Sequence, residues 1–356
     1  MSREPALLIG CRAAQHLVAK ILQEFAVKDG VSVVEACPIA IRDFPNTEVS
    51  VQILQSVRGR EVILVQCPCA YEGRTLDTAV REFTLACDAL FRASAAHITG
   101  ILTEFPYQRQ ERKDRARTPV SAKRVAAEVE KAMGSVGEKR IVSIDLHAPA
   151  IQGFFEIPFD ALSASTELAP SVAAAGYVTV VSPDVGGAPR AEAFVHLLED
   201  YRDAQRGDPE VHMAVIYKRR KGPERVEVAW VTGAHVLKDR DVVIVDDILG
   251  TGGTAREASL KCRELGAQRV ALAITHAECS EKAWEKLDIL DDVFITDSLP
   301  LDRLPQPFPA HWHVVPVAPL LAEAITQIVE HGTVSGLEKR RPALVRSGAP
   351  APTISR

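Results

Sequence analysis

The chain has 356 residues, of which 47% are hydrophobic and 25% are charged, and its formal net charge is -5. This length and hydrophobic content predict two ordinary folded domains and exclude a disordered chain. The mild acidity argues against a nucleic-acid or membrane-surface binder, and no apolar run reaches the roughly 18 residues that a membrane-spanning helix needs. We therefore expect neither nucleic acid nor membrane among its partners.

Short β-rich runs alternate with helical patterns along the chain. The runs that predict buried strands are, in order, Glu61–Val65, His97–Leu102, Arg140–Asp145, Tyr177–Val181, Asp241–Val245 and Arg269–Ile274. Their Val and Ile residues follow one another without strict polar alternation, as in parallel strands covered on both faces. A helix is predicted over Thr254–Leu265, and Gly266 can take the left-handed conformation that ends it. This alternation predicts βαβ units and an α/β fold.

Seven cysteines are scattered along the chain, and two of them form a C-P-C pair at Cys67 and Cys69. The odd count and irregular spacing predict reduced thiols and a cytoplasmic protein. The pair has two interpretations, packing at the end of a strand or binding of a metal. Packing is favoured because no second pair stands at a suitable spacing.

Two acidic residues and a glycine-rich loop follow the strand predicted at Asp241–Val245. In order they are Asp246, Asp247, Thr251, Gly252, Gly253 and Thr254. Glycines let backbone N–H groups approach an anion closely, and the start of the predicted helix adds partial positive charge. The adjacent carboxylates can accept hydrogen bonds from two neighbouring sugar hydroxyls. The pattern therefore predicts a site for a phosphorylated ribose, and a plain strand–turn–helix junction with solvated acids is the alternative.

This segment resembles the phosphoribosyl pyrophosphate loop that type I phosphoribosyltransferases share with ribose-phosphate pyrophosphokinases. Four further segments distinguish the two families. They resemble, in the pyrophosphokinases, the ATP-binding segment (Glu104–Lys123), the D-L-H signature (Ser143–Asp160), the second metal-proximal loop (Val181–Gly187) and the start of the flexible catalytic loop (Ile216–Glu224). The order and separations agree from about Leu7 to Leu337. The transferases alone lack the D-L-H segment, so the chain resembles the pyrophosphokinases.

The resemblance implies an activity, two substrates and a cofactor. The β,γ-diphosphate of ATP is transferred to the anomeric hydroxyl of ribose 5-phosphate, giving phosphoribosyl pyrophosphate and AMP, with Mg²⁺ as the cofactor. His147 and Asp184 are the implied metal ligands, although a lone histidine is more often structural. Lys218 and Arg220 are the implied catalytic cations, in a loop that the following Gly-Pro marks as non-helical; an ordinary basic surface loop is the alternative.

The resemblance also implies a set of ATP-binding residues, namely Phe44, Asn46, Glu48, Arg109, Gln110, Asp114 and His147. The first three would complete the adenine pocket from a neighbouring subunit, with Phe44 stacked on the base. Arg109 and Gln110 would contact the phosphates and ribose, and Asp114 the adenine amino group. Without the resemblance, the dense charges of Arg109–Arg117 predict a solvated helical face.

An allosteric site for inorganic phosphate, where ADP would compete, is implied as well. Its residues would be Ser56, Arg58, Arg117, Thr333 and Ser335, and ordinary turn and cap hydroxyls are the alternative. The implied fold is two phosphoribosyltransferase-like α/β domains, each with a mainly parallel sheet flanked by helices. The first spans 5–163, with 322–337 returning to it, and the second spans 164–321. A flexible tail at 338–356 and a homo-oligomer, a dimer or a hexamer, complete the expectation.

Several positions depart from the family pattern, and two of them concern ligand binding. Gly250 stands where a third acid usually helps to hold the ribose, and Ala161 stands where Asn is common. Gly250 raises a second hypothesis, a catalytically weak paralogue that regulates a true pyrophosphokinase by co-assembly. A third hypothesis is a phosphoribosyltransferase, which the ATP-like segment disfavours.

Overall fold

The computed structural model describes residues 4–27, 33–203, 210–220, 226–279 and 283–339. Gly222 and Pro223 of the predicted catalytic loop lie outside these ranges, as does the predicted flexible tail from residue 340 onward. Among the described residues, one compact unit lies within Met1–Ser163, Ser298–Arg303 and Val317–Leu337. The other lies within Ala164–Asp297 and Leu304–Pro316.

Strands and helices alternate through most of both units. The strands are β1 (Ala6–Gly10), β2 (Val34–Ala36), β3 (Ile39–Asp43), β4 (Val49–Ile53), β5 (Glu61–Gln66), β6 (His97–Leu102), β7 (Glu138–Ile144), β8 (Phe159–Leu162), β9 (Thr179–Ser182), β10 (His212–Arg220), β11 (Val226–Thr232), β12 (Val242–Ile248), β13 (Val270–His276), β14 (Asp292–Thr296) and β15 (Trp312–Val315). The α-helices are α1 (Gln15–Val27), α2 (Leu76–Arg92), α3 (Ser121–Ala132), α4 (Ser165–Ala174), α5 (Ala188–Asp203), α6 (Gly253–Glu264) and α7 (Ala318–Val329).

The first unit is built on a parallel sheet with the strand order β2-β1-β5-β6-β7-β8. Its strands are almost wholly apolar, and side chains such as Leu7, Leu64, Phe83 and Ile98 fill the core between sheet and helices. Burial on both faces explains why these strands lack polar alternation. Helix α7 packs against α1, and the antiparallel β3–β4 hairpin packs against α2.

The second unit contains a sheet with the strand order β11-β10-β9-β12-β13-β14-β15. All neighbouring strands are parallel except the pair β10–β11, which forms an antiparallel ribbon at one edge. Tyr177, Val180, Phe194 and Phe294 are among the buried residues of its core. The prediction of two α/β domains, each with a mainly parallel sheet flanked by helices, is confirmed.

All six predicted strands are present, with ends that differ from the prediction by up to three residues. Helix α6 begins at Gly253 rather than Thr254, because Gly252 with φ 71° caps it, and it is followed by Gly266 at φ 93°. The solvated helical face considered for Arg109–Arg117 is wrong. That segment forms one 3-10 turn at Gln108–Gln110 and then bends, with Asp114 exposed, until α3 begins. In the part of the chain that is described, no helix is long and apolar enough to cross a membrane.

Candidate active site

Three adjacent parallel strands of the second unit end at the same edge of the sheet. Asp184 follows β9, Asp246 and Asp247 occupy the end of the neighbouring β12, and Lys218 lies near the end of β10 on the other side of β9. Ligands of open α/β sheets bind beyond the carboxyl ends of the strands. The strand order thus brings acidic and basic candidate residues, which are distant in the sequence, to one edge.

The two carboxylates at the end of β12 share an ion-pair partner that the sequence did not reveal. Arg190, in the first turn of α5, lies with Nη1 3.5 Å from Oδ1 of Asp246 and with Nη2 3.2 Å from Oδ2 of Asp247. The backbone N–H of Asp247 also donates to Oδ1 of Asp246 at 3.0 Å. Arg190 therefore offsets part of the negative charge of the acid pair.

Burial is the main reason why the pKa of Asp246 lies well above its ordinary range, and repulsion from Asp247 raises it further. Arg190 opposes this rise, and the charge of Asp184 adds to it. Two neighbouring carboxylates in a poorly solvated place favour keeping one proton between them. Hydrogen-bond donors such as sugar hydroxyls stabilise the ionised form and would therefore favour release of this proton.

The glycine-rich loop between β12 and α6 has one position that requires glycine. Gly252 has φ 71°, and a Cβ added there would lie 2.6 Å from the carbonyl oxygen of Ala283. Gly253 has no such restriction, because the nearest atom to its added Cβ would be Thr251 Oγ1 at 3.6 Å. Thr251 and Thr254 are exposed beside the first turn of α6. The first N–H groups of a helix have no partner within it, so this turn can bind an anion.

Asp184 is held in a tight turn between β9 and α5. Its Oδ1 accepts a hydrogen bond from the backbone N–H of Gly187 at 3.0 Å, and its carbonyl oxygen accepts one from Ser182 Oγ at 2.6 Å. The side chain is half-buried. No group of three or more His, Cys, Asp or Glu residues within the described ranges is arranged to hold a metal ion. A divalent ion bound at Asp184 would take its other ligands from elsewhere.

Lys218 and Arg220 do not lie in a loop, as the sequence predicted, but in the last residues of β10. Lys218 pairs with Val228 of β11, and the ladder has an irregularity between Tyr217 and Lys218. Tyr217 stacks on Trp230 of β11, with 4.9 Å between the ring centroids. The partner strand β11 is rich in β-branched and aromatic residues, which favour strands. The K-R-R sequence considered alone could not reveal that it pairs with β11.

In the first unit, the predicted ATP-binding residues follow two neighbouring strands. Arg109 and Gln110 are exposed after β6, and His147 is exposed after β7. Between them, Gln108 is buried; its Oε1 accepts a hydrogen bond from the backbone N–H of His147 at 2.8 Å. Its Nε2 donates to Oε1 of the buried Glu104 at 3.3 Å. Sequence reasoning did not single out Gln108 or Glu104.

The tip of the β3–β4 hairpin carries the three residues predicted to contact adenine. The Phe44 side chain is 53% exposed, and Oδ1 of Asn46 accepts a hydrogen bond from the backbone N–H of Glu48 at 3.2 Å. A cavity of about 470 Å³ lies beside Phe44 and Glu48 and is also lined by Asp77 and Arg81 of α2. An exposed aromatic ring next to a cavity suits the stacking of a planar base.

The residue before the hairpin tip is fixed by ion pairs. Asp43 lies 2.7 Å from a guanidinium nitrogen of Arg12 and 2.6 Å from one of Arg74. Hydrogen bonds from both guanidinium groups hold the pKa of Asp43 well below its ordinary range. Arg12 also pairs with the buried Glu82 of α2 at 2.8 Å. The hairpin is thereby tied to the body of the unit.

The residues predicted for an allosteric anion site all lie in the first unit. Ser56 and Arg58 belong to the turn before β5, Arg117 has φ 65°, and Thr333 and Ser335 follow α7. All five are exposed. Their exposure makes these residues accessible to a ligand, but it does not identify one.

Comparisons with known proteins agree with these features. Residues 6–134 match the family described as the N-terminal domain of ribose phosphate pyrophosphokinase, and residues 164–302 match the phosphoribosyl transferase domain. The ribose-phosphate pyrophosphokinase of Shewanella oneidensis is 36% identical over 340 residues, which are 93% of this chain and 98% of that protein. The protein of the same name from Campylobacter jejuni is 36% identical over 303 residues, 83% of this chain and 89% of that protein.

A solved structure agrees as well. The crystal structure of phosphoribosylpyrophosphate synthetase from Mycobacterium smegmatis matches with a TM-score of 0.75 and 33% identity, covering 92% of this chain and 100% of that one. The resemblance found in the sequence is confirmed. The chain belongs to the ribose-phosphate pyrophosphokinase family of enzymes.

Proposed function

We propose that this enzyme transfers the β,γ-diphosphate of ATP to the anomeric hydroxyl of ribose 5-phosphate and releases AMP. Its family membership supports the reaction. One edge of the sheet in the second unit supports the assignment of roles to residues. Three adjacent strands end there, and at or just after their ends lie the acid pair, the glycine-rich loop, Asp184 and Lys218. Such an edge supplies acceptors for sugar hydroxyls, donors for a phosphate and a cation for a developing charge.

Ribose 5-phosphate binds at the end of β12 in this proposal. Asp246 and Asp247 accept hydrogen bonds from two ribose hydroxyls, and Arg190 makes it easier for the pair to lose its shared proton when the sugar binds. The 5-phosphate binds the backbone N–H groups at the start of α6, with Thr251 and Thr254 as further donors. The helix N-terminus favours this dianion electrostatically.

Mg²⁺ is the proposed cofactor. Its proposed ligands are His147 of the first unit and Asp184 of the second unit. A carboxylate and an imidazole suit an ion that keeps most of its ligands as water and phosphate oxygens. The ion would neutralise phosphate charge. Arg109 and Gln110 bind the ATP phosphates and ribose, and Asp114 binds the adenine amino group.

The adenine pocket is proposed to require a second copy of the chain. The tip of the β3–β4 hairpin carries Phe44, Asn46 and Glu48, and the aromatic ring is exposed. An exposed tip of this kind suits contact with a neighbouring subunit. We therefore propose a homo-oligomer, a dimer or a hexamer. All seven cysteines lie in described residues and none forms a disulfide, which fits a cytoplasmic location.

Lys218 and Arg220 are the proposed catalytic residues. The anomeric oxygen attacks the β-phosphorus, the bond from that phosphorus to the oxygen bridging the α- and β-phosphates breaks, and the hydroxyl proton passes to solvent. Negative charge grows on the oxygen that leaves with AMP, and the two cations stabilise it without transferring a proton.

The test is an assay of the purified protein with Mg-ATP and ribose 5-phosphate, following AMP and phosphoribosyl pyrophosphate. Lys218→Ala should lower kcat by about 10³-fold and leave the KM for ATP nearly unchanged, because the charge that it meets forms in the transition state. Lys261→Ala, which removes an exposed helix pair with Glu264, is the control. A normal kcat with a raised KM would refute the catalytic role. Absence of AMP formation would favour the regulatory paralogue.

Regulation by inorganic phosphate is a separate proposal. Ser56, Arg58, Arg117, Thr333 and Ser335 would bind the activating anion, for which ADP competes. The rate should rise with phosphate at fixed free Mg²⁺ and constant ionic strength, and Arg58→Ala should shift the curve to higher phosphate by about tenfold, as loss of one charge-assisted hydrogen bond predicts. A flat response in the parent enzyme would show that no such control operates.

A further inference from the structure

Gln108 connects two loops of the first unit that carry proposed substrate-binding residues. It follows β6 and directly precedes Arg109, yet its side chain is only 2% exposed while Arg109 is exposed. Its Oε1 accepts the backbone N–H of His147, in the loop after β7, at 2.8 Å. Its Nε2 donates to Oε1 of Glu104, also 2% exposed, at 3.3 Å. The oxygen of one buried amide therefore joins the two loops, and its nitrogen anchors the same side chain within the loop after β6.

Each of these loops contains a residue in a sparsely populated backbone conformation. Tyr107 has φ 60° at the start of the 3-10 turn, and Asp145 has φ 39° just after β7. Left-handed backbone in residues other than glycine costs about 1 kcal/mol or more, so surrounding contacts must hold it. The Tyr107 hydroxyl donates to Asp77 at 2.5 Å, and Ser163 Oγ donates to Asp145 at 2.9 Å. These bonds secure each loop separately, and Gln108 links one loop to the other.

The position of the link has a consequence for ATP. The hydrogen bond that the backbone N–H of His147 donates to Gln108 Oε1 fixes the backbone of His147, and Gln108 itself is adjacent in sequence to Arg109. The side chains of Arg109 and His147 leave these two fixed points and are exposed. Their separation is therefore governed by a bond that lies in a poorly solvated place, where hydrogen-bond geometry is enforced more strongly than at the surface.

We propose that Gln108 is a positioning residue that sets the spacing of Arg109 and His147 for bound Mg-ATP. It acts through the backbone of His147 and its own peptide link to Arg109, because its buried amide is engaged by Glu104 and His147. The proposal rests on the ATP and metal roles proposed above for Arg109 and His147. It assigns Gln108 to the recognition of the Mg-ATP complex and gives it no part in ribose 5-phosphate binding.

The first test replaces Gln108 by methionine, which keeps the side-chain volume and removes both hydrogen bonds. Gln108→Met should raise the KM for Mg-ATP and the free Mg²⁺ needed for half-maximal rate by about tenfold, as the loss of a buried hydrogen bond predicts. The kcat and the KM for ribose 5-phosphate should stay within about twofold. Gln327→Met is the matched control, because Gln327 Nε2 donates to Glu323 Oε1 at the same 3.3 Å, in α7.

A second variant shortens the link. Gln108→Asn keeps the amide but removes one methylene group, so the side chain cannot reach both Glu104 and the backbone of His147 as Gln108 does. The KM for Mg-ATP should rise as in Gln108→Met, while the kcat and the KM for ribose 5-phosphate should again stay within about twofold.

A double-mutant cycle separates a positioning role from a general loss of structure. If Gln108 acts through His147, Gln108→Met should change the Mg²⁺ half-saturation by less than about twofold in a His147→Ala background, since coupled sites are not additive. Additive effects, or a Gln108→Met enzyme that matches Gln327→Met, would overturn the inference. If Gln108→Met is too unstable to assay, an unchanged KM for Mg-ATP in Gln108→Asn would overturn it. If Arg109→Ala and His147→Ala leave the Mg-ATP parameters unchanged, the proposed function fails instead.

Discussion

Replacement of Arg190 by methionine would test the electrostatics of the acid pair at the end of β12. The pKa of Asp246 is already raised by burial and by Asp247, and Arg190 limits that rise. Sugar hydroxyls donate to ionised carboxylates, so ribose 5-phosphate should bind best above the pKa of the pair and lose affinity as the pH falls through it. Removal of Arg190 raises this pKa further. The acid limb of the pH profile of kcat/KM for ribose 5-phosphate should therefore move to higher pH.

The contacts of Arg190 set the size of the expected shift. Its nitrogens lie 3.5 Å from Asp246 and 3.2 Å from Asp247. Unit charges about 4 Å apart interact by roughly 4 kcal/mol at an effective dielectric constant of about 20. The variant can relieve most of this loss by retaining a proton, at about 1.4 kcal/mol per pH unit. The ratio of these two energies is about three, so we expect the acid limb to move by up to about three pH units.

The assay measures initial rates against ribose 5-phosphate with saturating Mg-ATP and constant ionic strength. The pH runs from about 5.5 to 9.5, so that it covers the titration of a carboxyl group with a raised pKa. Arg263→Met is the control, because Arg263 of α6 makes a 2.9 Å ion pair with Asp291 in the same unit, and Arg263 shows none of the contacts with the acid pair that Arg190 makes. Its profile should coincide with that of the parent enzyme.

The stability of the variant gives a second check on the direction in which Arg190→Met shifts the pKa of the acid pair. A carboxyl whose pKa is raised by folding stabilises the protein fully below its unfolded pKa, and this contribution is lost as the pH rises through the folded pKa. Arg190→Met raises the folded pKa of the pair, so its Tm deficit relative to the parent should grow from acid to alkaline pH. An acid limb that stays in place, or moves to lower pH, would refute the account of the acid pair.

Two further predictions concern the proposed metal ligands and the glycine-rich loop. His147→Ala and Asp184→Ala should each raise the free Mg²⁺ needed for half-maximal rate by about tenfold or more, in a titration at fixed ATP, as loss of a ligand predicts; curves that overlay the parent's would make both residues structural. Gly252→Ala should lower the Tm and raise the KM for ribose 5-phosphate by at least about tenfold, because the residue combines φ 71° with a backbone oxygen 2.6 Å from the new Cβ. Gly253→Ala meets no protein atom closer than 3.6 Å and should keep the Tm of the parent enzyme; equal losses of Tm in the two variants would show that strain at Gly252 is not the cause.

The features that were predictable from the sequence are those encoded by residues close together in it. Continuous apolar runs such as Asp241–Val245 mark strands buried on both faces, because burial removes the need for polar alternation. The ribose 5-phosphate loop was recognisable because acids, glycines and threonines lie within nine consecutive positions. The return of α7 to the first unit rested on the family resemblance, since a long-range contact with α1 leaves no local pattern.

The features that the sequence did not reveal depend on contacts between separate elements. Arg190 lies 56 positions before Asp246, and only the packing of α5 beside β12 brings them together. Gln108 and His147 are 39 positions apart and meet because β6 and β7 are neighbours in the sheet. The K-R-R segment was assigned to a loop on the family resemblance and on the Gly-Pro pair that follows it. Its pairing with β11 comes from a partner strand.

The surroundings of the acids support the proposed division of roles, in which Asp184 binds the metal and the acid pair binds the sugar. Asp246 and Asp247 already face a guanidinium group, and their shared burial disfavours a second negative charge. Such a pair suits neutral hydroxyl donors, which satisfy it without displacing Arg190. Asp184 instead has a half-buried side chain in a turn fixed by the backbone N–H of Gly187. Because the partner of its side chain in this turn is a neutral donor, Asp184 suits a cation, and the proposal therefore places the sugar and the metal at separate acids of the same sheet edge.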